Sequence, residues 1–191
     1  MGFVLITAPA TEPVTLAEAK LQLKVETADT ADDNLITSLI TAARMVAEEY
    51  TWRPLITQTW ELRLDQFDEA EYKLKTPAIS ITSVKYIDTN GVEQTLSSGT
   101  YQLLTGSEPH RVALNYGECW PVVRGDYDGC KIRFSCGYGA AAAVPASIKQ
   151  AILMMIGHWY ENRQDVITKH ITAEIPMNSK YLLDPYRLVM L

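Results

Sequence analysis

The hydrophobic period of this chain changes twice, and those two changes set what it can fold into. From Leu16 to Tyr50 apolar residues recur at helical spacing, from Ile56 to Cys136 they alternate, and beyond Pro145 the helical spacing returns. Apolar residues repeating every 3.6 positions share one face only on a helix, and those repeating every second position only on a strand. The chain therefore reads as α+β, a helical core of three main helices carrying an inserted, mostly antiparallel β module. The boundaries fall at 1–55 for the N-terminal helical part of the core, 56–139 for the β insertion, and 140–191 for the C-terminal helix of the core with an extended tail.

Local signals place the elements. Thr15 and Glu18 have the spacing of a capping box ahead of Leu16, Ala19 and Leu23. Asp32 or Asp33 is placed to cap a second helix, on which Leu35, Leu39, Ala42, Val46 and Tyr50 line one stripe and Ile36, Ile40, Ala43 and Ala47 widen it. Pro54 ends that helix, because its ring removes a donor and clashes with the preceding turn. Ile56, Trp60, Leu62 and Leu64 then alternate with Thr57, Thr59, Glu61, Arg63 and Asp65, predicting a strand with one buried and one wet face. Further strands are expected at Ile79 to Ile87, Thr95 to Leu96, Tyr101 to Leu104, Arg111 to Leu114 and Cys130 to Cys136, with Asn90-Gly91 supplying the positive φ angles of a tight hairpin. Pro145 suits the first turn of a third helix carrying Ile148, Ile152, Met155, Ile156, Trp159 and Tyr160, which fades near Asn162 into a polar, weakly patterned stretch.

Composition excludes several classes. At 191 residues with 47% hydrophobic side chains the chain can bury a core without disulfides or metal. A net charge of -6 leaves no broad positive field to condense on phosphates, so a duplex-gripping protein is not expected. The apolar runs fall far short of the roughly 20 residues that span a bilayer, so no membrane association is expected. The start, MGFVLITAPA, has no basic n-region, and Ile6 stands where a myristoylation motif has Ser or Thr, so neither an export nor a lipid signal is expected.

The strings TLAEAKLQLKV, DDNLITSLITAARMVAEEYTWRPL and TQTWELRLDQF resemble the opening of the tailed-bacteriophage head-tail connector family, the adaptor or head-completion proteins. The likeness continues through TPAISITSVKYIDTNG, TYQLL, RVALNYGECWP, CKIRFSCGYG and VPASIKQAILMMIGHWYENR, which look like its β-insert subgroup, and it covers residues 13–163. The resemblance implies a structural, non-enzymatic protein of the virion neck, made in the host cytoplasm and assembled as a ring of identical subunits, commonly a dodecamer. Such a ring binds beneath the portal protein, offers a platform to a downstream stopper or tail protein, and passes DNA without specific binding. Ring closure needs heterologous contacts, and the wide stripe on the second helix is a candidate for one of the two patches.

Residues that could carry chemistry point the same way. Cys130 and Cys136 share the parity of Ile132 and Phe134, opposite Lys131, Arg133 and Ser135, and read as buried structural thiols. His110, His158 and His170 with Cys119 lack the tight pair that zinc sites show. CGYGAAAAVP lacks the Lys and Ser/Thr of a Walker loop and reads as a strand-to-helix turn. No catalytic, cofactor or metal residues are assigned, and no cofactor is expected. Asp65, Asp68, Glu69 and Glu71 read as an acidic patch of a polar loop that could face the ring's lumen and repel DNA. Trp52, Trp60, Trp120 and Trp159 are assigned to packing. In YLLDPYRLVML, Tyr181, Leu182, Leu183, Tyr186 and Arg187 are candidates for a partner-docking tail, with a fold-back onto the chain's own core equally open. Two alternatives stand beside the connector reading: a tail-completion or stopper protein of the same neck, and a cytosolic enzyme or ligand-binding domain using Cys119 or Cys136 with a histidine.

Overall fold

The computed structural model describes residues 2–163 and 177–188, so His170 and Val189 lie outside the described residues. The chain divides into two compact units, one comprising Met1–Ala10 and Thr57–Tyr138, the other Thr11–Ile56 and Gly139–Leu191. Its mixed α+β class and the antiparallel pairing of its strands agree with the sequence reading.

The β unit contains eight strands: β1 (Gly2–Thr7), β2 (Gln58–Leu64), β3 (Glu71–Lys73), β4 (Ala78–Ile87), β5 (Glu93–Thr95), β6 (Tyr101–Leu104), β7 (Arg111–Leu114) and β8 (Cys130–Cys136). Five form a sheet in the order β1-β2-β8-β4-β5, and three form a second sheet in the order β3-β7-β6, every neighbouring pair antiparallel. One core joins the two: Leu62, Leu64, Val84, Ile132 and Phe134 come from the larger sheet, and Tyr72, Tyr101 and Val112 from the smaller. On β8 the whole inward parity, Cys130, Ile132, Phe134 and Cys136, is fully buried. Each large apolar side chain removed from water in this way contributes about 1.5–3 kcal/mol.

Details of the β unit differ from the sequence reading. Residues 2–7 form a strand paired with β2, so the first ten residues lie in the β unit, where the boundary 1–55 had placed them with the helices. The β4–β5 hairpin takes a positive φ at Gly91 and not at Asn90. There the Asp88 carboxylate accepts from the N–H groups of Asn90 (2.9 Å) and Val92 (3.0 Å), and Gly91 N–H bonds Asp88 O at 2.9 Å. This is a type I turn closed by one left-handed glycine, the three-residue alternative to the doubly positive turn. Those bonds, the one from Val92 N–H foremost, hold the Asp88 carboxyl below the usual carboxylate range.

A further difference is Glu61, assigned by parity to the wet face and in fact 3% exposed. It sits on a central strand between Val4 of β1 and Arg133 of β8. Arg63 Nε donates to one carboxylate oxygen at 2.9 Å and Arg133 Nη2 to the other at 2.7 Å. A buried carboxylate persists only when its lone pairs are filled in this manner. Burial pushes the Glu61 carboxyl up, but the hydrogen bonds from Arg133 and Arg63 outweigh that and hold it below its ordinary value.

The helical unit contains α1 (Leu16–Leu23), α2 (Asp33–Thr51), α3 (Ala146–Glu161) and α4 (Met177–Leu183). The capping box forms as expected: Thr15 N–H donates to Glu18 at 2.7 Å and Glu18 N–H to Thr15 Oγ1 at 3.2 Å. α2 packs against α3 and α1, burying Ile36, Ile40, Ala43 and Ala47, while α3 buries Ile148, Ala151, Ile152, Met155 and Ile156. Asp32 holds the N-cap position of α2 without a side-chain cap bond. Its carboxylate instead accepts from Tyr160 Oη (2.5 Å) and Arg163 Nη2 (2.6 Å), tying the start of α2 to the end of α3. The buried Lys20 ammonium donates to the carbonyls of Thr27 and Asp29 and pairs with Asp33, fixing the turn between α1 and α2.

Replacing Glu61 tests the β unit. A depressed folded-state pKa adds stability that is complete above the unfolded carboxylate value and is lost as pH falls through the folded one. Glu61→Gln should therefore cost about 1–3 kcal/mol at neutral pH, because Arg63 and Arg133 keep partial access to water. In urea denaturation the gap between variant and wild type should stay constant above about pH 5 and shrink below about pH 4. A gap independent of pH down to pH 3 would remove the charge from this account.

Candidate functional site

The end of α2 organises the C-terminal segment. A helix leaves its last four carbonyls without intrahelical partners. α2 closes through Trp52 in the left-handed region (φ 59), with Arg53 N–H bonding Glu48 O at 3.2 Å. The Thr51 carbonyl left over accepts the Leu188 N–H at 3.1 Å. Around it Arg53 Nε donates to the Tyr186 carbonyl at 2.5 Å, Tyr50 Oη donates to Asp184 at 2.5 Å, and the Arg187 guanidinium lies 5.2 Å from the Tyr50 ring centroid. The hydrogen bond to Asp184, reinforced by burial, pushes the Tyr50 hydroxyl pKa up. Leu183 is fully buried, and α4 packs on α3.

Residues 177–188 are thus folded onto their own helical unit. Of the five tail candidates, Leu183 is part of that core, Leu182 and Tyr186 are half-buried, and Tyr181 (68% exposed) and Arg187 face water. Of the two readings left open for this segment, the packing matches the fold-back onto the chain's own core, while the short helix α4 and the particular bonds to α2 were not expected. The apolar run around Leu182 and Leu183 was the visible signal of that packing, and the Thr51 carbonyl that receives Leu188 N–H had none.

α2 divides its broad stripe in two. Ile36, Ile40, Ala43 and Ala47 are buried, while Leu35, Leu39 and Val46 stay half-buried and Ala42 and Met45 exposed. An apolar strip therefore remains on this helix after the unit has packed. Trp52, assigned to packing by sequence, is 51% exposed, because the left-handed cap turns it out of the helix face.

In the β unit the four acidic candidates are not equivalent. Glu71 lies in β3, not in a loop, and pairs with Arg111. Asp65 accepts from Asp128 N–H at 2.9 Å. Asp68 and Glu69 are exposed beside Tyr72, whose hydroxyl accepts from Glu69 N–H at 2.9 Å and donates to Asp68 at 3.3 Å. The loop is pinned by Phe67, stacked on Trp120 with ring centroids 4.6 Å apart, and by Tyr72 at 5.8 Å from Trp120. Trp120 thus packs against its own chain.

The side chains with chemical potential are held by local structure. Burial, with Asp65 nearby, pushes the Cys130 thiol up to about 11, the opposite of an activated nucleophile. Cys119 is exposed and Cys136 buried. His110 Nδ1 accepts from Ala78 N–H at 3.1 Å, and His110 N–H bonds Thr76 at 2.8 Å, so this residue braces the start of β4. His158 lies against Asn162 at the end of α3. No group of three His, Cys, Asp or Glu side chains among the described residues is placed to hold a metal. No helix of the described residues is long and apolar enough to cross a membrane.

The class these features define is a mixed α+β chain whose polar groups brace turns and helix ends. Comparison with known proteins gives this class a family. The chain belongs to the head completion protein family, whose model matches residues 14–188. The fold is shared with solved chains of gene transfer agent (GTA) particles. One comes from the neck of an empty GTA particle computed with C6 symmetry, at 23% identity and a TM-score of 0.82. Others come from the virion of a native GTA particle (24%, 0.80) and from the neck of a native GTA particle computed with C12 symmetry (24%, 0.78). In each case the match covers 100% of this chain and 97% of the other. No curated protein sequence matches the chain.

The latch yields a direct expectation. Leu183→Ala should destabilise the helical unit by about 2–4 kcal/mol, the range for emptying a fully buried leucine site. Tyr181→Ala, at an exposed position, should stay within about 0.5 kcal/mol of wild type. Urea titrations followed by circular dichroism read both, and equal effects would refute the assigned packing of α4.

Proposed function

We propose that this chain is a structural, non-enzymatic component of the virion neck that assembles as a ring of identical subunits, a dodecamer, beneath the portal protein. The observation that carries the reading is the match over its full length to neck chains of GTA particles treated with C6 and C12 symmetry, joined to membership of the head completion protein family. The leftover surfaces suit such a task. A cyclic ring is built from two unlike patches per subunit, and the half-buried strip of Leu35, Leu39 and Val46 on α2 is offered as one.

In this reading the bore passes DNA without gripping it. The acidic side chains Asp65, Asp68, Glu69 and Glu71 face the lumen, where like charge keeps the duplex from adhering. The exposed Tyr181 and Arg187, with the half-buried Leu182 and Tyr186, form the portal-docking end, since Tyr and Arg are the residue types that anchor interfaces. Leu183 takes part only by holding α4 in place. The opposite rim presents a platform to a stopper or tail protein.

Electron microscopy of the purified protein, alone and with portal, tests the assembly. Rings or portal-capping density are expected, and a Tyr181→Ala, Arg187→Ala double variant should keep its fold while losing portal capture at least tenfold, the scale of an interface anchor. Protein that stays monomeric with portal present would overturn the ring. For the lumen, changing Asp68 and Glu69 to Lys should slow DNA passage during packaging and ejection. Unchanged rates in particles that incorporate the variant would move the patch off the bore.

A further inference from the structure

Edge strands present unpaired backbone donors and acceptors, and soluble proteins blunt them by shortening, bulging or charging the strand. Several edges of the β unit are treated in this way. β5 is three residues long, and its Glu93 is bonded to Lys85 at 2.7 Å and Lys131 at 3.3 Å. β3, also three residues long, pairs Glu71 with Arg111 and exposes Lys73. The stretch of β4 that β5 leaves uncovered is broken by register shifts, and the His110 ring takes its Ala78 N–H.

Two edges are left open. β1 is six residues long, reads GFVLIT, and pairs only with β2. β6 is four residues long, reads YQLL, and pairs only with β7. Neither carries charge or proline, and the outer edge of each has no strand partner among the described residues. Apolar side chains stand on both faces of both strands, Phe3 and Leu5 opposite in parity to Val4 on β1, Tyr101 and Leu103 opposite in parity to Leu104 on β6. Leu5 is 43% exposed and Ile6 39%, while Leu103 and Leu104 are half-buried.

The open edges lie on opposite sides of the unit. Lys75, just past β3, sets its ammonium 5.4 Å from the Phe3 ring of β1 and 4.3 Å from the Trp60 ring of β2, so β1 and β3 share one side. β6 lies against β4, which the sheet order separates from β1 by β2 and β8, roughly 14 Å across the strands. A strand donated by another neck protein would need one open edge. This unit has two, unlike in sequence and on opposite sides, which is what a head-to-tail series of identical copies requires.

We propose that in the assembled ring the open edge of β1 in one subunit pairs with the open edge of β6 in the next. The pairing satisfies the backbone groups of both edges and gives Leu5 and Ile6 apolar neighbours from β6. A pairing four residues long covers on the order of a few hundred Å², below the roughly 1,000 Å² of a specific interface, so it sets the register of a larger contact. The inference rests on the ring reading above.

Directed crosslinking in a Cys119→Ser background tests it. One preparation carries Val4→Cys or Leu5→Cys, and a second carries Gln102→Cys or Leu103→Cys, so that both faces of each strand are sampled. They are mixed with portal and oxidised. Because a disulfide bridges only Cα atoms about 4.4–6.8 Å apart, a linked dimer is expected from at least one pairing, about tenfold above controls with Thr95→Cys on β5 or Leu21→Cys on α1. An Ile6→Lys, Gln102→Lys variant, changed at exposed positions, should keep the wild-type thermal unfolding of the monomer and form about tenfold fewer rings, since a charged edge resists pairing. Rings that form normally in that variant, or no crosslink above controls in rings of the cysteine proteins, would overturn this inference alone. So would a β1 cysteine that links to its own copy, to Thr95→Cys or to portal, since each gives that edge a different partner. A lowered unfolding temperature in the Lys variant would overturn it too, by placing these edges inside the fold of a single chain. A wild-type protein that forms no ring with portal would bring down the ring reading, and this inference with it.

Discussion

The pairing of Gln58 with Cys136 is the constraint on which the rest depends. These residues are cross-strand partners at the start of β2 and the end of β8, so the segment between α2 and α3 leaves and returns at one place. An insertion of this length is compatible with helix packing only if its ends lie side by side. Otherwise α2 and α3, which pack on each other, would be pulled apart by the chain joining them. β8 secures the arrangement because it is paired on both sides and buries its whole inward parity, while Arg133 on its other face engages Glu61 of β2. Closing contacts so distant in sequence costs loop entropy, and the buried cross-strand face is what offsets it.

That arrangement explains where the polar groups went. The side chains with the greatest chemical capacity are engaged in bracing: Lys20 on the α1–α2 turn, Asp32 on the end of α3, His110 on the start of β4, Asp88 inside a hairpin. Desolvation leaves Cys130 protonated across the physiological range. What remains exposed among the described residues is an apolar strip on α2, the Tyr181 and Arg187 side chains at the C-terminal end, and the acidic loop of Asp68 and Glu69.

Much of this was legible in the sequence, for a physical reason. Residues 33–51, 130–136 and 146–161 have strong periods because each element buries one face, and burial writes itself into the residue order. Thr15 and Glu18 were legible because a capping box is local. β1 was missed because an edge strand buries little, and GFVLIT shows no alternation of apolar and polar residues. Glu61 was misplaced because alternation cannot report that two arginines fold over a carboxylate. The fold-back of the C-terminal segment was one of two open readings, but its partners could not be named, because a backbone acceptor such as the Thr51 carbonyl leaves no mark in the residue order and nothing local joins Tyr50 to Asp184 or Arg53 to the Tyr186 carbonyl. Among the site candidates, the apolar character of the tail could be read but not its division into a buried Leu183 and an exposed Tyr181. The acidic residues could be read but not the pairing of Glu71 with Arg111.

The central claim is that this polypeptide acts by occupying a fixed place in a particle. The most direct measurement is a reconstruction of mature virions that carry it. The account predicts a ring of density between head and tail into which both units fit, one copy for each subunit of the ring. Virions with normal necks and full-length tails that lack this chain would contradict it.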